Sequence, residues 1–202
     1  LQNDIVKRDL NHGHVPDVKL KQWVSRNERL IARLTRLVED MLDVGRINTG
    51  CLKVEKTRVD LADCVQKATE KFALQFEQSR IRPYFQLQAG IIGNWDFFRL
   101  EQVITNLFSN AVKYAPGSRL DVRVESRDGE AWLWVIDHGD GVTPDNISRI
   151  FDRFERAHPA TGTTGLGLGL YISRKIIESH KGKIWVEPTP GGGSTFIVRL
   201  PL

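Results

Sequence analysis

Between Asp17 and Gly45 the chain carries neither glycine nor proline, and its apolar residues fall at Leu20, Val24, Leu30, Ile31, Leu34, Leu37, Val38, Met41 and Leu42. Steps of three and four put those side chains on one side of a helix, and a seam sustained over about four heptads is the pattern of coiled coils and bundles. A stripe that long has to be covered. Leu1 to Leu10 reads as the end of an earlier helix, and Asn11-His12-Gly13-His14-Val15-Pro16 as a breaker cluster, so the pair predicts an antiparallel helical hairpin. A hairpin cannot bury such a seam alone, which predicts dimerisation into a four-helix bundle. The competing possibility packs the seam against the rest of the same chain.

Beyond the seam the pattern changes. Asn48-Thr49-Gly50 closes the helix and residues 51–58 read as a polar linker, which divides the chain into a hairpin region at 1–50 and a second domain at 59–202. In that domain Val65, Ala68, Phe72 and Phe76 mark a helix over Ala62 to Gln78, and Phe85 and Leu87 suggest a strand. Leu100, Ile104, Leu107 and Ala111 mark a second helix, and Leu120, Val122 and Val124 alternate as in a half-buried strand. Ala131-Trp132-Leu133-Trp134-Val135-Ile136 is apolar on both faces, which predicts a central strand. Leu168 to His180 reads as a third helix stopped by Gly182, with closing strands at Lys183 to Glu187 and Thr195 to Leu200. Helices mixed with antiparallel strands predict an α+β fold, a two-layer α/β sandwich with its helices on one face.

Several function classes drop out on composition. A chain that is 41% hydrophobic and 27% charged has enough apolar residues for a core, against wholesale disorder. No run approaches the roughly 18 apolar residues of a membrane span, and no leader pattern opens the chain. Met41 is the only methionine and the chain opens on Leu1, which suggests a piece of a longer protein. Cys51 and Cys64 make neither a disulfide framework nor a zinc spacing, so a reducing compartment is expected. The net charge of +4, with no basic run interleaved with aromatics, reads as ordinary surface charge and predicts no nucleic-acid partner.

Three patterns carry chemistry. Arg99, Gln102, Asn106, Asn110 and Lys113 line one polar stripe of the second helix. Two asparagines one turn apart are poor helix formers, and their amide oxygens are hard ligands suited to Mg²⁺ beside phosphate; the stripe taken alone reads more readily as a solvated face than as a site. Asp137-His138-Gly139-Asp140-Gly141 follows the apolar strand, a carboxylate with two glycines that let backbone approach a flat ligand, or simply an Asp-Gly turn. Gly162-Thr163-Thr164-Gly165-Leu166-Gly167-Leu168-Gly169 opens a helix, where free N–H groups form a phosphate cradle. It fits neither the Walker loop nor the dinucleotide fingerprint.

Their order is more specific than any one of them. NLFSNAVKYAP (Asn106 to Pro116), DHGDG (Asp137 to Gly141), IFDRFERA (Ile150 to Ala157) and GTTGLGLGLYIS (Gly162 to Ser173) resemble, in sequence, the N box, first glycine box, F box and second glycine box of bacterial sensor histidine kinases of the GHKL superfamily. GGGSTFIVRLPL resembles the closing strand, so the likeness covers Val59 to Leu202. RLTRLVEDMLDVGRINTG further resembles the second helix of the dimerisation and phosphotransfer hairpin. There are two departures. None of His12, His14, His138, His158 and His180 has the acidic-neighbour-and-proline setting of the phosphoacceptor, which is expected upstream of Leu1, so this stretch alone is expected not to autophosphorylate. Thr163 stands where the family usually has glycine.

The resemblance implies a Bergerat-type ATP-binding fold with ATP and Mg²⁺ as cofactors. It places Asp137 on the adenine amine, Gly139 and Gly141 beside the base, and Thr195 as a further polar contact. Asn110 is implied as the Mg²⁺ ligand, Lys113 as a phosphate cation and Tyr114 as a flank, with Gly165, Leu166, Gly167 and Leu168 as backbone donors. Asn106 stands where ATP-hydrolysing relatives carry a glutamate base, and a neutral amide favours transfer over hydrolysis. Residues 142–164 are implied as a mobile lid with Phe151 and Phe154 docking it, and Phe154 and Arg156 count among the nucleotide-binding residues. The function implied is a cytoplasmic two-component histidine kinase core acting as a homodimer with a response-regulator receiver domain, reaching a membrane only through upstream segments. A non-catalytic nucleotide-binding scaffold is the alternative, and the hairpin disfavours an anti-sigma-type serine kinase.

Overall fold

The computed structural model describes residues 17–155 and 166–202. The first helix of the expected hairpin, its breaker cluster, Arg156, His158, Thr163 and Gly165 lie outside the described residues. The chain divides into two compact units, residues 1–43 and 44–202. In the first, helix α1 (Asp17–Asn48, running on into the second unit) carries the apolar seam, and Leu34 is 62% exposed with Ile31, Val38, Met41 and Leu42 similarly open. The helix ends on a Schellman arrangement. Gly50 takes φ +68°, its N–H bonds the Ile47 carbonyl at 3.1 Å, and the Cys51 N–H bonds the Arg46 carbonyl at 2.8 Å.

The second unit holds the remaining elements: β1 (Thr57–Asp60), α2 (Leu61–Gln78), β2 (Arg82–Leu87), β3 (Ile92–Trp95), α3 (Phe97–Tyr114), β4 (Arg119–Arg127), β5 (Glu130–Asp137), the single turn α4 (Pro144–Ile147), α5 (Gly169–Ser179), β6 (Lys183–Pro188) and β7 (Ser194–Pro201). Strands β1 and β3 form an antiparallel pair, and the main sheet runs β2-β4-β5-β7-β6 with only β2–β4 parallel. Two aspartates start the long helices. Asp60 Oδ1 accepts the Ala62 N–H at 2.9 Å ahead of α2, and Asp96 Oδ1 accepts the Arg99 N–H at 3.1 Å ahead of α3. Strands β4 and β5 turn through Asp128 (φ +51°) and Gly129 (φ +76°), both left-handed as a two-residue hairpin requires.

One face of the sheet and the inner faces of α2, α3 and α5 make the core. Leu120, Val122, Val124, Ala131, Leu133, Val135, Phe196, Val198 and Leu200 point into it, and Phe72 and Phe76 both pack edge-on against Phe108, with centroids 5.9 and 5.3 Å away. The α+β sandwich with helices on one face is therefore as expected. One expectation needs correction, and one strand that sits where expected is covered in an unusual way. The linker at 51–58 ends in strand: Thr57 and Arg58 belong to β1, paired with Trp95 and Asn94 of a β3 too short to signal itself. Strand β5 is central, yet its second face is only half-buried. Trp132 and Trp134 stack there at 5.5 Å with Trp185 edge-on, and Arg127, Arg199 and Lys183 lie over the rings. The apolar character of that face is covered by cation–π contacts rather than by a second layer.

Candidate functional site

Helix α3 forms one wall. Asn106 is half-buried; its Nδ2 donates to Ser173 Oγ on α5 at 3.0 Å, and its Oδ1 rests on Gly169, where a Cβ would lie 2.3 Å away. One turn on, Asn110 is half-buried and makes no side-chain hydrogen bond among the described residues. A further turn on, the Tyr114 carbonyl lies against Gly139, where a Cβ would approach to 2.5 Å. The expected stripe thus runs between the start of α5 and the turn after β5, with Asn110 midway and Lys113 exposed at its end. It is not a solvated face at Asn106.

Asp137 ends β5 and is 7% exposed. Its Oδ1 accepts the Gly139 N–H at 3.0 Å and the Ser194 N–H at 3.2 Å, which leaves Oδ2 without a hydrogen bond among the described residues. Burial pushes its pKa up from the ordinary carboxylate value, and the two backbone donors and His138 work against that shift. Gly193 (φ +99°) lies so close that a Cβ would stand 2.0 Å from the Asp137 carbonyl, so no side chain fits there. Thr195, beside Ile136 in the register, shares a hydrogen bond with Thr189 at 2.9 Å. Gly141 (φ +74°) packs on Gly193, and Ser194 Oγ accepts the Val142 N–H at 3.0 Å. A buried carboxylate with one free oxygen, walled by glycine backbone, can take one hydrogen bond from the edge of a flat polar ring.

The segment ahead of residue 156 departs from expectation at Phe154. Phe151 is buried, whereas Phe154 takes φ +65° and its ring is 65% exposed, because the left-handed turn that brings its N–H to the Gly167 carbonyl (3.1 Å) swings the side chain outward. Between them Arg153 bonds Asn48 at the end of α1 and Tyr171 Oη at 2.7 Å, and Asp152 pairs with Arg174 at 3.2 Å. Leu166 and Gly167 are half-buried and Leu168 is buried just before α5, which begins without the side-chain cap that α2 and α3 possess. Among the described residues no side chain caps its first N–H groups, an arrangement that suits an anion.

Among the described residues there is no cluster of three or more His, Cys, Asp or Glu side chains able to hold a metal by themselves, so a cation here would rely on the Asn110 oxygen, a bound anion and water. That donor set fits Mg²⁺ accompanied by phosphate. Of the histidines, His138 contacts Asp121 at 3.0 Å and His180 is buried; neither faces this cleft as a free imidazole. Burial alone would raise Asp121, but Arg119 and His138 hold its carboxyl below the usual range. Sequence reasoning missed Ser173, Thr189, Gly193, Ser194 and Arg153. Only the glycine triplet at 191–193 carried a signal, as a run that must abut backbone.

Among the described residues no helix is long and apolar enough to cross a membrane. Residues 96–202 match the family described as histidine kinase-, DNA gyrase B- and HSP90-like ATPases. The sensor protein SrrB of Staphylococcus aureus is 35% identical over 172 residues, covering 84% of this chain and 30% of SrrB, so the chain spans under a third of the curated relatives it matches. The catalytic domain of histidine kinase ThkA superposes with a TM-score of 0.66 at 28% identity, covering 73% of this chain and 95% of that one. ThkA in complex with response regulator protein TrrA matches in fold at 24% identity, with a TM-score of 0.70 over 98% of this chain and 56% of that one. Full-length ShkA in complex with AMPPNP gives a TM-score of 0.75 at 25% identity, over 90% of this chain and 38% of that one. With the family pattern spanning the cleft from α3 to the Asp137 turn and the relatives being sensor kinases, the chain belongs to the histidine kinase-, DNA gyrase B- and HSP90-like ATPase family, as a GHKL histidine-kinase catalytic domain.

Proposed function

We propose that this chain is the catalytic core of a cytoplasmic two-component histidine kinase. It binds ATP with Mg²⁺ and passes the γ-phosphoryl group to a histidine on the first hairpin helix, from which an aspartate of a response-regulator receiver domain takes it. The observation that carries the nucleotide reading is Asp137, a buried carboxylate whose Oδ1 is held by two backbone donors while Oδ2 is left for a ligand. An adenine amine donates to such an oxygen; guanine would present a carbonyl and be repelled. Thr195, bonded to Thr189, follows the Ser194 N–H that holds Oδ1 and lies beside Ile136 on the outer face of the sheet, so Ser194 is better placed than Thr195 for a further polar contact, and Gly139 and Gly141 allow the base to lie on backbone.

Asn110 would hold Mg²⁺ through its amide oxygen, and the metal would offset the phosphate charge. Lys113 supplies a point charge, Tyr114 a flank, and Leu166, Gly167 and Leu168, with Gly165 and Arg156 beyond the described residues, receive the phosphates. In the transfer the bond from the γ-phosphorus to the bridging oxygen breaks, a nitrogen–phosphorus bond forms from the imidazole lone pair, and ADP leaves. Asn106 cannot take a proton from water, which disfavours hydrolysis. The division into a dimerising hairpin at 1–50, a linker and a nucleotide domain from 59 belongs to the same proposal. So does the homodimer, whose supporting observation is the open seam of α1, and the response-regulator partner, which ThkA's structure with TrrA supports by fold.

Calorimetry with ATP and GTP tests the site. Asp137→Asn is expected to weaken ATP binding by about 1–3 kcal/mol, the loss or mispairing of one charge-assisted hydrogen bond. Equal affinities for ATP and GTP in the unsubstituted chain would remove the adenine assignment. In a longer chain that includes the upstream helix, acid-labile labelling from γ-labelled ATP is expected, and Asn110→Ala should abolish it. Labelling of the present 202 residues alone would mean the acceptor is misplaced.

A further inference from the structure

Ser173 has no part in the roles above, yet it is 2% exposed and, among the described residues, its hydroxyl makes a single hydrogen bond, to the Asn106 amide. Its neighbours on α5, Tyr171, Ile172, Ile176 and Ile177, are buried in the core. A buried hydroxyl is unfavourable unless it is bonded, and alanine is the better helix former, so the bond to Asn106 is what accounts for a serine here. Gly169, one turn earlier on the same helix face, closes on the other side of that amide. One asparagine of α3 is thus gripped between two positions of α5 spaced by four.

We propose that Ser173 is a positioning residue for the phosphate end of the nucleotide, an inference that rests on the nucleotide reading of the site. By holding Asn106 against Gly169, it fixes the height and rotation of the first turn of α5 on α3. The N–H groups at that turn then stand at a set distance from Asn110 on the same wall. Hydrogen bonds to phosphate weaken steeply with misalignment, so a small slip of α5 loosens the phosphates. The adenine end is independent of this contact: Asp137 is held by Gly139 and Ser194, on the turn after β5 and on β7. Ser173 therefore governs one end of the ligand and leaves the other alone.

The experiment is a titration of ATP with Mg²⁺ and, separately, of adenosine to millimolar concentration, each followed by chemical shifts of the backbone amides. Ser173→Ala is expected to raise the ATP dissociation constant about tenfold, the scale of one buried hydrogen bond, and to leave adenosine within about twofold, as for uncoupled sites. Ser173→Thr and Ser173→Val share one shape and differ in the hydroxyl, so threonine should bind ATP more tightly than valine. If those two bind ATP alike, or if adenosine weakens in parallel with ATP, the positioning role is wrong while the nucleotide site stands. If the unsubstituted chain binds ATP but not adenosine, the adenine anchor and this proposal fall together. A chain that binds neither overturns the nucleotide reading itself.

Discussion

Protonation of His180 is incompatible with its place in the fold, and that gives the stability of this chain a defined acid limb. The ring is 1% exposed; Nε2 accepts the Asp96 N–H at 2.9 Å and Nδ1 meets the Ile176 carbonyl at 2.8 Å. Only the neutral ring with its hydrogen on Nδ1 satisfies both, since a proton on Nε2 would face the Asp96 N–H donor to donor. Burial draws the pKa below the ordinary 6.5; the Ile176 bond opposes this, Lys56 reinforces it and the Asp96 carboxylate opposes it again. Above pH 6.5 the ring is neutral in both folded and unfolded chains and contributes no pH dependence. Below it the unfolded chain takes a proton that the folded chain refuses, so stability falls as pH falls, by up to about 1.4 kcal/mol per pH unit. The limb ends where the folded ring itself begins to titrate. His180→Gln removes the titrating group while keeping an acceptor for the Asp96 N–H. Urea unfolding at pH 7.5 and 5.5 should show the unsubstituted chain losing up to about 1.4 kcal/mol more than the variant across that interval, because the carboxylates contribute equally to both. Equal losses would refute the buried neutral tautomer, whatever the variant does to stability at neutral pH.

Two further outcomes follow from burial. Leu34→Asp places a charge on the open seam of α1 and should convert a dimer to a monomer in light scattering, and an unchanged dimer would remove the hairpin as the interface. The Cys64 thiol is buried, with its pKa pushed up to about 12 mainly by that burial, whereas Cys51 is exposed. A thiol reagent should therefore titrate Cys51 alone in the folded chain and both cysteines in urea, and a second fast-reacting thiol without denaturant would contradict the packing of α2.

The elements that could be read from sequence are those whose period matches their environment. Val65, Ala68, Phe72 and Phe76 repeat at helical spacing because α2 buries a single stripe, and Leu120, Val122 and Val124 alternate because only one face of β4 meets the helices. Strands β1 and β3 left no such trace, since four residues are too few for a period and Gly93 interrupts the second. The tryptophan face of β5 marked a central strand, as expected, while its cover was not legible: cations from adjoining strands lie over the rings in place of a second layer. At the candidate site, Asp137, Asn110 and the glycine turns stood out as motif, because the nucleotide chemistry proposed for them would require those residue types at those spacings. Ser173 and Ser194 were not, because a serine's meaning lies in which distant backbone or side chain it meets, and Asn106 is 67 residues from its partner.

The hydrogen bond from Ser194 to Asp137 joins residues 57 apart, and it has a kinetic meaning. The hairpin of β4 and β5 can close locally through its two-residue turn, but Gly193 and Ser194 reach Asp137 only when β7 docks along β5. Until that last strand arrives, the carboxylate lacks one of its two backbone donors and its glycine wall. A nucleotide held at Asp137 as proposed would meet its complete grip only on the finished sheet, so it is expected to act as a latch, lowering the unfolding rate and leaving the folding rate where the bare chain sets it.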